Sequence, residues 1–481
     1  MTPVVIFFIG FLVPAMLEPA EVETSGGSLQ ERIASLLDDP MLAKADAGFE
    51  ARRIDDGSVI ARRNADMSLL IASNTKLVTT AAALEILGGD FVFRTPVYWR
   101  GRIADGTLDG DLLVVGGGDP NISGRFHQGN PCAVFERWAE ALRAKGVRSV
   151  RGDIRGDDGL FDRQFWHSSW AKAERDRWYM APVSALSLND NCVDVTVSPG
   201  SADGVPARVA LSPPTGFVSL LNRCRTTDRA SRHTVAFSRP VGSRRITVSG
   251  AFWIKAAPWL ESVAVEDPGR YFLVVFKETL ERKGISVMGE VRLVQGEDAK
   301  GWNLLDTFTS TLVDTLRVTN KNSQNFYAEH LLKMIGSHAS GSASFEGGCA
   351  AAREVLDRLG VRGDYDLADG SGLSRDNRLS ASQVVTLLTA MAGRRGGDLY
   401  RDTLPVMGVD GSLKSRGRNA ILAGRVRAKT GHLSFTNCLS GYVIGRDGRE
   451  IAFSFLVNRF RGSRRALENL QETICRILAG F

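Results

Sequence analysis

The chain has 481 residues, 43% hydrophobic and 24% charged, a balance that excludes disordered and fibrous classes and, at this length, predicts more than one core. Its net charge of +6 comes from 60 Lys and Arg against 54 Asp and Glu. The arginines are scattered in pairs such as Arg62-Arg63 and Arg394-Arg395 with no dense basic run interleaved with aromatics, so no nucleic-acid partner is expected.

In chain order, Val4 to Val13 form an apolar block that ends near Leu17. It reads as the core of a secretory signal over residues 1–20, shorter than the ~20 residues of a spanning helix. No Lys or Arg precedes it, and Glu18 interrupts a small-x-small cleavage pattern before Ala20, so the start or the cleavage site differs from the simplest drawing. An exported, periplasmic protein with at most peripheral membrane association is expected. Leu29 to Leu37 reads as a short amphipathic helix and Gly48 to Asn64 as a hairpin turning at Asp56-Gly57. Thr75 to Leu87, rich in Ala and Leu and stopped by Gly88-Gly89, reads as a helix with Ser73 at or just before its first turn.

From Phe91 to about Lys300 the composition shifts to short strands, glycines and aromatics, which marks an insertion. Within it, Ala139 to Val147 leading to Val150 to Arg155 is echoed by Glu278 to Ile285 leading to Val287 to Arg292. Each is a helix, a Lys-Gly stop and a strand. The echo predicts two halves of one inserted domain, 91–173 and 260–300, split by a nested strand-rich domain, 174–259; two unrelated units sharing a stop signal are the alternative. The outer domain then comprises 28–90 and 301–481. It holds a helical region at roughly 306–400, strands at Arg425 to Lys429, Leu439 to Ile444 and Ile451 to Val457, and a closing helix from Glu468 to Leu478. The fold class is α+β: two N-terminal and three C-terminal strands in one antiparallel sheet, the first and last helices on one face and the helical region on the other.

Six cysteines (Cys132, Cys192, Cys224, Cys349, Cys438, Cys475) permit bridges in an exported chain. Cys192 and Cys224, in one strand-rich stretch, are the first candidate pair, with buried free thiols as the alternative. No Cys-x-x-Cys or His-x-x-x-His spacing occurs, so neither a metal nor another cofactor is expected.

Three motifs carry chemistry: Ser73-Asn74-Thr75-Lys76, Ser323-Gln324-Asn325 and Lys429-Thr430-Gly431. Together they supply a nucleophile, two lysines, a bridging hydroxyl and an amide, the parts of a serine acyl-transfer site that uses no histidine. Lys76 lies one helical turn after Ser73, so the two share a face. A base must be neutral, and burial, a second cation at Lys429 and the helix start would each lower the Lys76 pKa. Ser323 would relay the proton towards the leaving amine and Asn325 would hold Lys76 or the substrate amide. Ser169-Trp170-Ala171-Lys172 and Ser187-Leu188-Asn189 repeat two of the patterns but lack the context. Polar residues and Pro182 follow the first, and the second sits in the insertion.

This set resembles the penicillin-binding D-alanyl-D-alanine carboxypeptidases and endopeptidases, in particular the class C low-molecular-mass group. The likeness extends over nearly the whole chain, through Gly117-Gly118-Asp119-Pro120, Ala181 to Leu186 and Asp369 to Arg375, and includes the long insertion between the first two motifs. It implies a β-lactamase/transpeptidase-like domain interrupted by nested domains, acting on peptidoglycan peptide stems through an acyl-enzyme on Ser73 and inhibited by β-lactams. It further implies Lys76 as base, Ser323, Asn325 and Lys429 as relay, and Thr430, Gly431 and His432 as substrate contacts, with backbone N–H groups of Ser73 and His432 as the oxyanion hole. His432 departs from the Ser or Thr usual after Lys-Thr-Gly. Carboxylate recognition would then lean on Thr430 or on a protonated imidazole, unless His432 simply faces solvent. The Asp369 to Arg375 loop reads as a wall of the groove without a catalytic part. The rival readings are a serine β-lactamase, for which no Glu-x-x-Leu-Asn setting is recognisable, and a non-catalytic peptidoglycan-binding protein on the same fold.

Overall fold

The computed structural model describes residues 28–417 and 421–480; the expected signal at 1–20 lies outside the described residues. The chain starts with α1 (Leu29–Leu37), capped by Ser28, whose hydroxyl accepts the Glu31 N–H while the Glu31 carboxylate accepts that of Ser28. The hairpin β1 (Asp46–Arg53) and β2 (Val59–Arg63) turns through Gly57 at φ 71°. A two-residue strand, β3 (Leu69–Leu70), leads to α2 (Thr75–Leu87), every residue of which is buried from Thr75 to Leu84. A helix apolar all round belongs inside a core.

The insertion opens with the long pair β4 (Val92–Ala104) and β5 (Thr107–Val115), then α3 (Ala133–Ala144), β6 (Ser149–Val150) and β7 (Ile154–Asp157). Six strands follow: β8 (Cys192–Ser198), β9 (Arg208–Ser212), β10 (Ser219–Thr227), β11 (Thr234–Ser238), β12 (Arg245–Trp253) and β13 (Trp259–Ala264). The chain returns through α4 (Pro268–Arg282), β14 (Ser286–Val287), β15 (Val291–Val294) and β16 (Asn303–Thr311). The two echoing units are neighbours: β14 pairs parallel with β6, Val287 opposite Val150, and β15 with β7, Arg292 opposite Arg155. Their helices meet through aromatic residues, Phe135 of α3 lying 4.8 Å from Phe272 and 5.1 Å from Phe276 of α4. The units therefore share one seven-stranded sheet with β4, β5 and β16.

The last part holds α5 (Leu312–Lys321), α6 (Asn325–Ser340), α7 (Phe345–Arg358), β17 (Arg378–Leu379), α8 (Ala381–Ala392) and α9 (Gly397–Thr403), then β18 (Val426–Leu433), β19 (Thr436–Ile444), β20 (Glu450–Asn458) and α10 (Arg464–Leu478). The main sheet is antiparallel with strand order β18-β19-β20-β1-β2, so the expected union of N- and C-terminal strands is found. One face packs on α1 and α10 through Ile33, Phe453, Leu467 and Ile474. On the other, α8 lies against β1 and β20, with α2 and α6 beyond it. The helical region begins later than expected, because Phe308 and the alternating Thr307, Thr309 and Thr311 extend β16 against β4.

Residues between β7 and β8 fasten the insertion to α6. Fully buried Lys333 donates to Asp162 Oδ1 at 2.5 Å and to the Gln164 carbonyl at 2.8 Å, and Ser187 Oγ lies 3.1 Å from His330 Nε2. Ser187 of the second Ser-x-Asn pattern is thus a buried packing residue. All six cysteines are free and buried, which corrects the proposed Cys192–Cys224 pair. Cys192, at the start of β8, packs with Ala181, Phe326 and Tyr327, whereas Cys224, within β10, belongs to the separate core of the insertion.

Candidate active site

The turn carrying Ser73 is a single 3-10 turn, Ala72–Asn74, directly before α2. Ala72 holds φ 46° there, a left-handed conformation that a side-chain-bearing residue adopts at a cost of about 1–3 kcal/mol. The surroundings enforce it. Thr75 Oγ1 donates to the Ala72 carbonyl at 2.8 Å, and a Cβ on Gly372 would lie 1.9 Å from that oxygen, so only glycine lets the 369–375 loop close over the turn. Asn74 Nδ2 donates to Ser440 Oγ at 2.7 Å, itself 2.8 Å from Ser454 Oγ. This buried chain ties the turn to β19 and β20.

Lys76 is fully buried, and its Nζ lies 3.2 Å from Ser73 Oγ, 2.7 Å from Asn325 Oδ1 and 2.7 Å from the Ser371 carbonyl. Burial pushes its pKa down to about 7, against the opposing pull of the Glu329 and Asp369 carboxylates. Of the three causes the sequence suggested, burial is the leading one. Asn325, the first residue of α6, also donates from Nδ2 to the Tyr179 carbonyl at 2.9 Å, which fixes its amide with the oxygen towards Lys76.

The third motif enters on the free edge of β18. Lys429, fully buried, donates to Ser323 Oγ and to the Thr430 carbonyl, each at 2.8 Å. Burial and then the charge of Lys76 hold it well below the ordinary lysine range. Ser323 sits at φ 56° in the link between α5 and α6, which turns its hydroxyl to the lysine. Thr430 Oγ1 lies 2.8 Å from Ser412 Oγ. Gly431 lets β18 abut the turn that carries Ser73, since a Cβ there would come 2.8 Å from the Ile71 carbonyl. His432 is exposed on the strand beyond. Partial burial and the nearby Arg464 guanidinium keep its ring below the usual histidine range, with Glu468 opposing. Both effects disfavour the charged ring, which counts against an imidazolium as carboxylate receptor.

Seven of the eight expected residues thus line one groove as two linked sets, Ser73–Lys76–Asn325 and Ser323–Lys429–Thr430–Gly431, and His432 stands at its rim. Two contributors escaped sequence reading. The Ser371 carbonyl holds Lys76, so the 369–375 loop is more than a wall. Glu329, one turn after Asn325 on α6, is fully buried and accepts the N–H groups of Gly370 and Ser371, each at 2.8 Å. An acid four residues after Asn325, on the same face of α6, was the available signal. The second Ser-x-x-Lys stays outside the site: Lys172 is exposed, and Ser169 Oγ is bonded to Ser374 Oγ at 2.8 Å.

Burial and the Asp369 carboxylate push Glu329 up from 4.5 to about 8. The folded protein therefore binds the extra proton between those values, and this group's contribution falls as pH rises through that window. Lys76 acts oppositely above about 7, where the unfolded lysine keeps its proton. Glu329→Gln should thus flatten the loss of stability between pH 5 and 7, read as urea midpoints. An unchanged slope would refute this assignment.

A fully buried lysine beside a serine that follows the strained Ala72, facing a second lysine on a sheet edge, defines a serine acyl-transfer enzyme of the β-lactamase/transpeptidase fold. The model of the D-Ala-D-Ala carboxypeptidase 3 (S13) family matches residues 29–480, and the chain belongs to that family, the serine D-Ala-D-Ala carboxypeptidases. It is 35% identical over 463 residues to a D-alanyl-D-alanine carboxypeptidase of an Actinomadura species, covering 92% of this chain and 84% of that one. It is 28% identical to the D-alanyl-D-alanine carboxypeptidase DacB of Haemophilus influenzae, with 86% of each chain covered. The crystal structure of penicillin-binding protein 4 from the same organism superposes with a TM-score of 0.80 at 25% identity, over 93% of this chain and 99% of that one.

Proposed function

We propose that Ser73 is the acylated residue and Lys76 its general base. The observation that carries this reading is a fully buried Nζ 3.2 Å from Ser73 Oγ, with a pKa lowered to about 7. Neutral Lys76 takes the hydroxyl proton as Oγ attacks the carbonyl carbon of the penultimate D-Ala. Backbone N–H groups of Ser73 and His432 receive the oxyanion. Ser323, bonded to Lys429, passes its proton to the nitrogen of the departing terminal D-Ala and is reprotonated by the Lys76 ammonium, so the proton taken from Ser73 ends on the leaving amine. Water then cleaves the ester by the reverse route. Asn325 orients Lys76, while Thr430, Gly431 and His432 line the place of the terminal residue. β-Lactams inhibit by acylating the same serine, and peptidoglycan peptide stems are the substrate.

The proposed division keeps the nested order expected from the sequence with its bounds moved by two strands: β16 pairs with β4 and β13 with β8, giving a catalytic unit of 28–90 and 312–481, an inserted domain of 91–173 and 265–311, and a nested strand-rich part of 174–264. The residues before β8 brace the insertion against α6. Export to the periplasm is supported by the apolar block Val4 to Val13, and no described helix is long and apolar enough to cross a membrane.

The test is incubation with labelled penicillin and, separately, with a pentapeptide stem. A long-lived adduct mapped to the peptide containing Ser73, together with D-alanine release, supports the reading. Rapid turnover of penicillin would replace it with a β-lactamase, and no adduct at all with a binding protein.

A further inference from the structure

A small cavity of about 140 Å³ opens beside the outer side of β18, lined among others by Ser412, Thr430, Gly431, His432, Arg464 and Glu468. It lies against Thr430 and Gly431, one step past Lys429 along β18, where the end of a substrate running along the strand edge would lie. We propose that Arg464 receives the terminal α-carboxylate of the substrate there and so sets the preference for a free-acid terminus. The inference rests on the assignment of Ser73 as nucleophile and Thr430 as neighbour of the terminal residue.

The polar groups at the cavity are the Thr430, Ser412 and Ser415 hydroxyls, the Arg416 and Arg464 guanidinium groups, the His432 imidazole, the Asn437 amide and the Glu468 carboxylate. Thr430 and Ser412 offer hydroxyls, bonded to each other at 2.8 Å, and carry no charge. Lys429 is taken by Ser323 and the Thr430 carbonyl. Arg416, nearly buried, is committed to Glu472 Oε1 at 3.0 Å, the Glu468 carbonyl at 2.9 Å and Gln471 Oε1 at 3.1 Å. Arg464 differs: its side chain is 62% exposed, with one ion pair, Nε to Glu468 Oε1 at 2.7 Å. The rest of its fork is open to a carboxylate, which a guanidinium binds in bidentate fashion.

The placement of Arg464 also runs against local helix preference. It is the first residue of α10, followed by Arg465, and the first turn contains no acid. Basic residues there oppose the helix macrodipole, and conflicts of this kind concentrate where function overrides stability. The same guanidinium disfavours a second positive charge on the His432 ring, and of the two guanidinium groups lining the cavity, Arg416 is engaged with α10 while Arg464 keeps an open fork.

The experiment compares the unsubstituted protein, Arg464→Gln and Arg464→Lys on a pentapeptide ending in D-Ala-D-Ala and on the same peptide with a C-terminal carboxamide. A lost charged hydrogen bond predicts a fall of about 10- to 100-fold in kcat/KM for the acid in Arg464→Gln, mainly through KM. The carboxamide should be unaffected, and Arg464→Lys should recover part of the loss. No change on the acid, or an equal fall on both peptides, overturns the proposal. Labelled penicillin at saturating concentration separates the two levels: a full Ser73 adduct in Arg464→Gln leaves the nucleophile in place whatever the peptides show. Absence of an adduct in the unsubstituted protein overturns both.

Discussion

Ser73→Ala is expected to remove the penicillin adduct completely and to lower D-alanine release from a pentapeptide by at least about 10,000-fold. The hydroxyl of Ser73 is the one placed 3.2 Å from a fully buried lysine at the head of α2. Ser323 already receives Lys429 and is held in a different turn, so it offers no substitute. The internal control is the other Ser-x-x-Lys. Ser169 Oγ lies 2.8 Å from His167 Nδ1 and 2.8 Å from Ser374 Oγ, and Lys172 is in solvent. Lys172→Met should leave both readouts unchanged, and a loss of adduct there would mean that context had been misjudged.

Lys76→Arg should slow acylation by labelled penicillin by about 100- to 10,000-fold, the range for loss of a positioned base. Arginine keeps the charge and can still donate towards Asn325 and Ser371, but it does not release its proton in the accessible pH range. The substitution therefore separates a base from an electrostatic anchor. In the unsubstituted protein, the acylation rate should rise with pH through about 7 and then level, because only neutral Lys76 accepts the Ser73 proton. An anchor that works as an ammonium would give the opposite limb, a rate that falls as pH passes 7. Measuring the second-order rate constant between pH 5.5 and 9 decides between them.

The sheet was legible in the sequence because its strands and turns carry side-chain patterns. Asp56-Gly57 and Asp447-Gly448 mark hairpin ends, and the motifs fix which strand faces the nucleophile. The echo of Lys145-Gly146 and Lys283-Gly284 announced neighbours that turned out to pair in register. What escaped were roles played by main-chain atoms and by solvent exclusion. The Ser371 carbonyl has no signature in residue type, and Glu329 acts on Gly370 and Ser371 through their N–H groups. Burial of Lys76 was anticipated beside Lys429 and the helix start as a cause of its lowered pKa, but the groups that complete it, Asn325 and the Ser371 carbonyl, come from segments more than two hundred residues distant and leave no local signature. The Cys192–Cys224 expectation failed because proximity in a strand-rich stretch says nothing about which core each thiol enters. α10 was expected from Glu468 and starts at Arg464, since arginines in a first turn do not look like a helix start.

The sheet order has a bearing on synthesis. The nucleophile is made early in the chain, but β1 lies against β20, and the third motif is on β18. A nascent chain that has reached residue 400 contains Ser73 and Lys76 without the strand edge that aligns a substrate, and its N-terminal hairpin lacks the neighbour on its inner side. Since chains emerge N-terminus first, the acylating site should come into being only once β18 to β20 have been made. The inserted domains have all their strands by residue 311 and are free to fold first. Pulse-labelled chains arrested before and after residue 458 should accordingly differ sharply in penicillin capture while sharing a protease-resistant insertion.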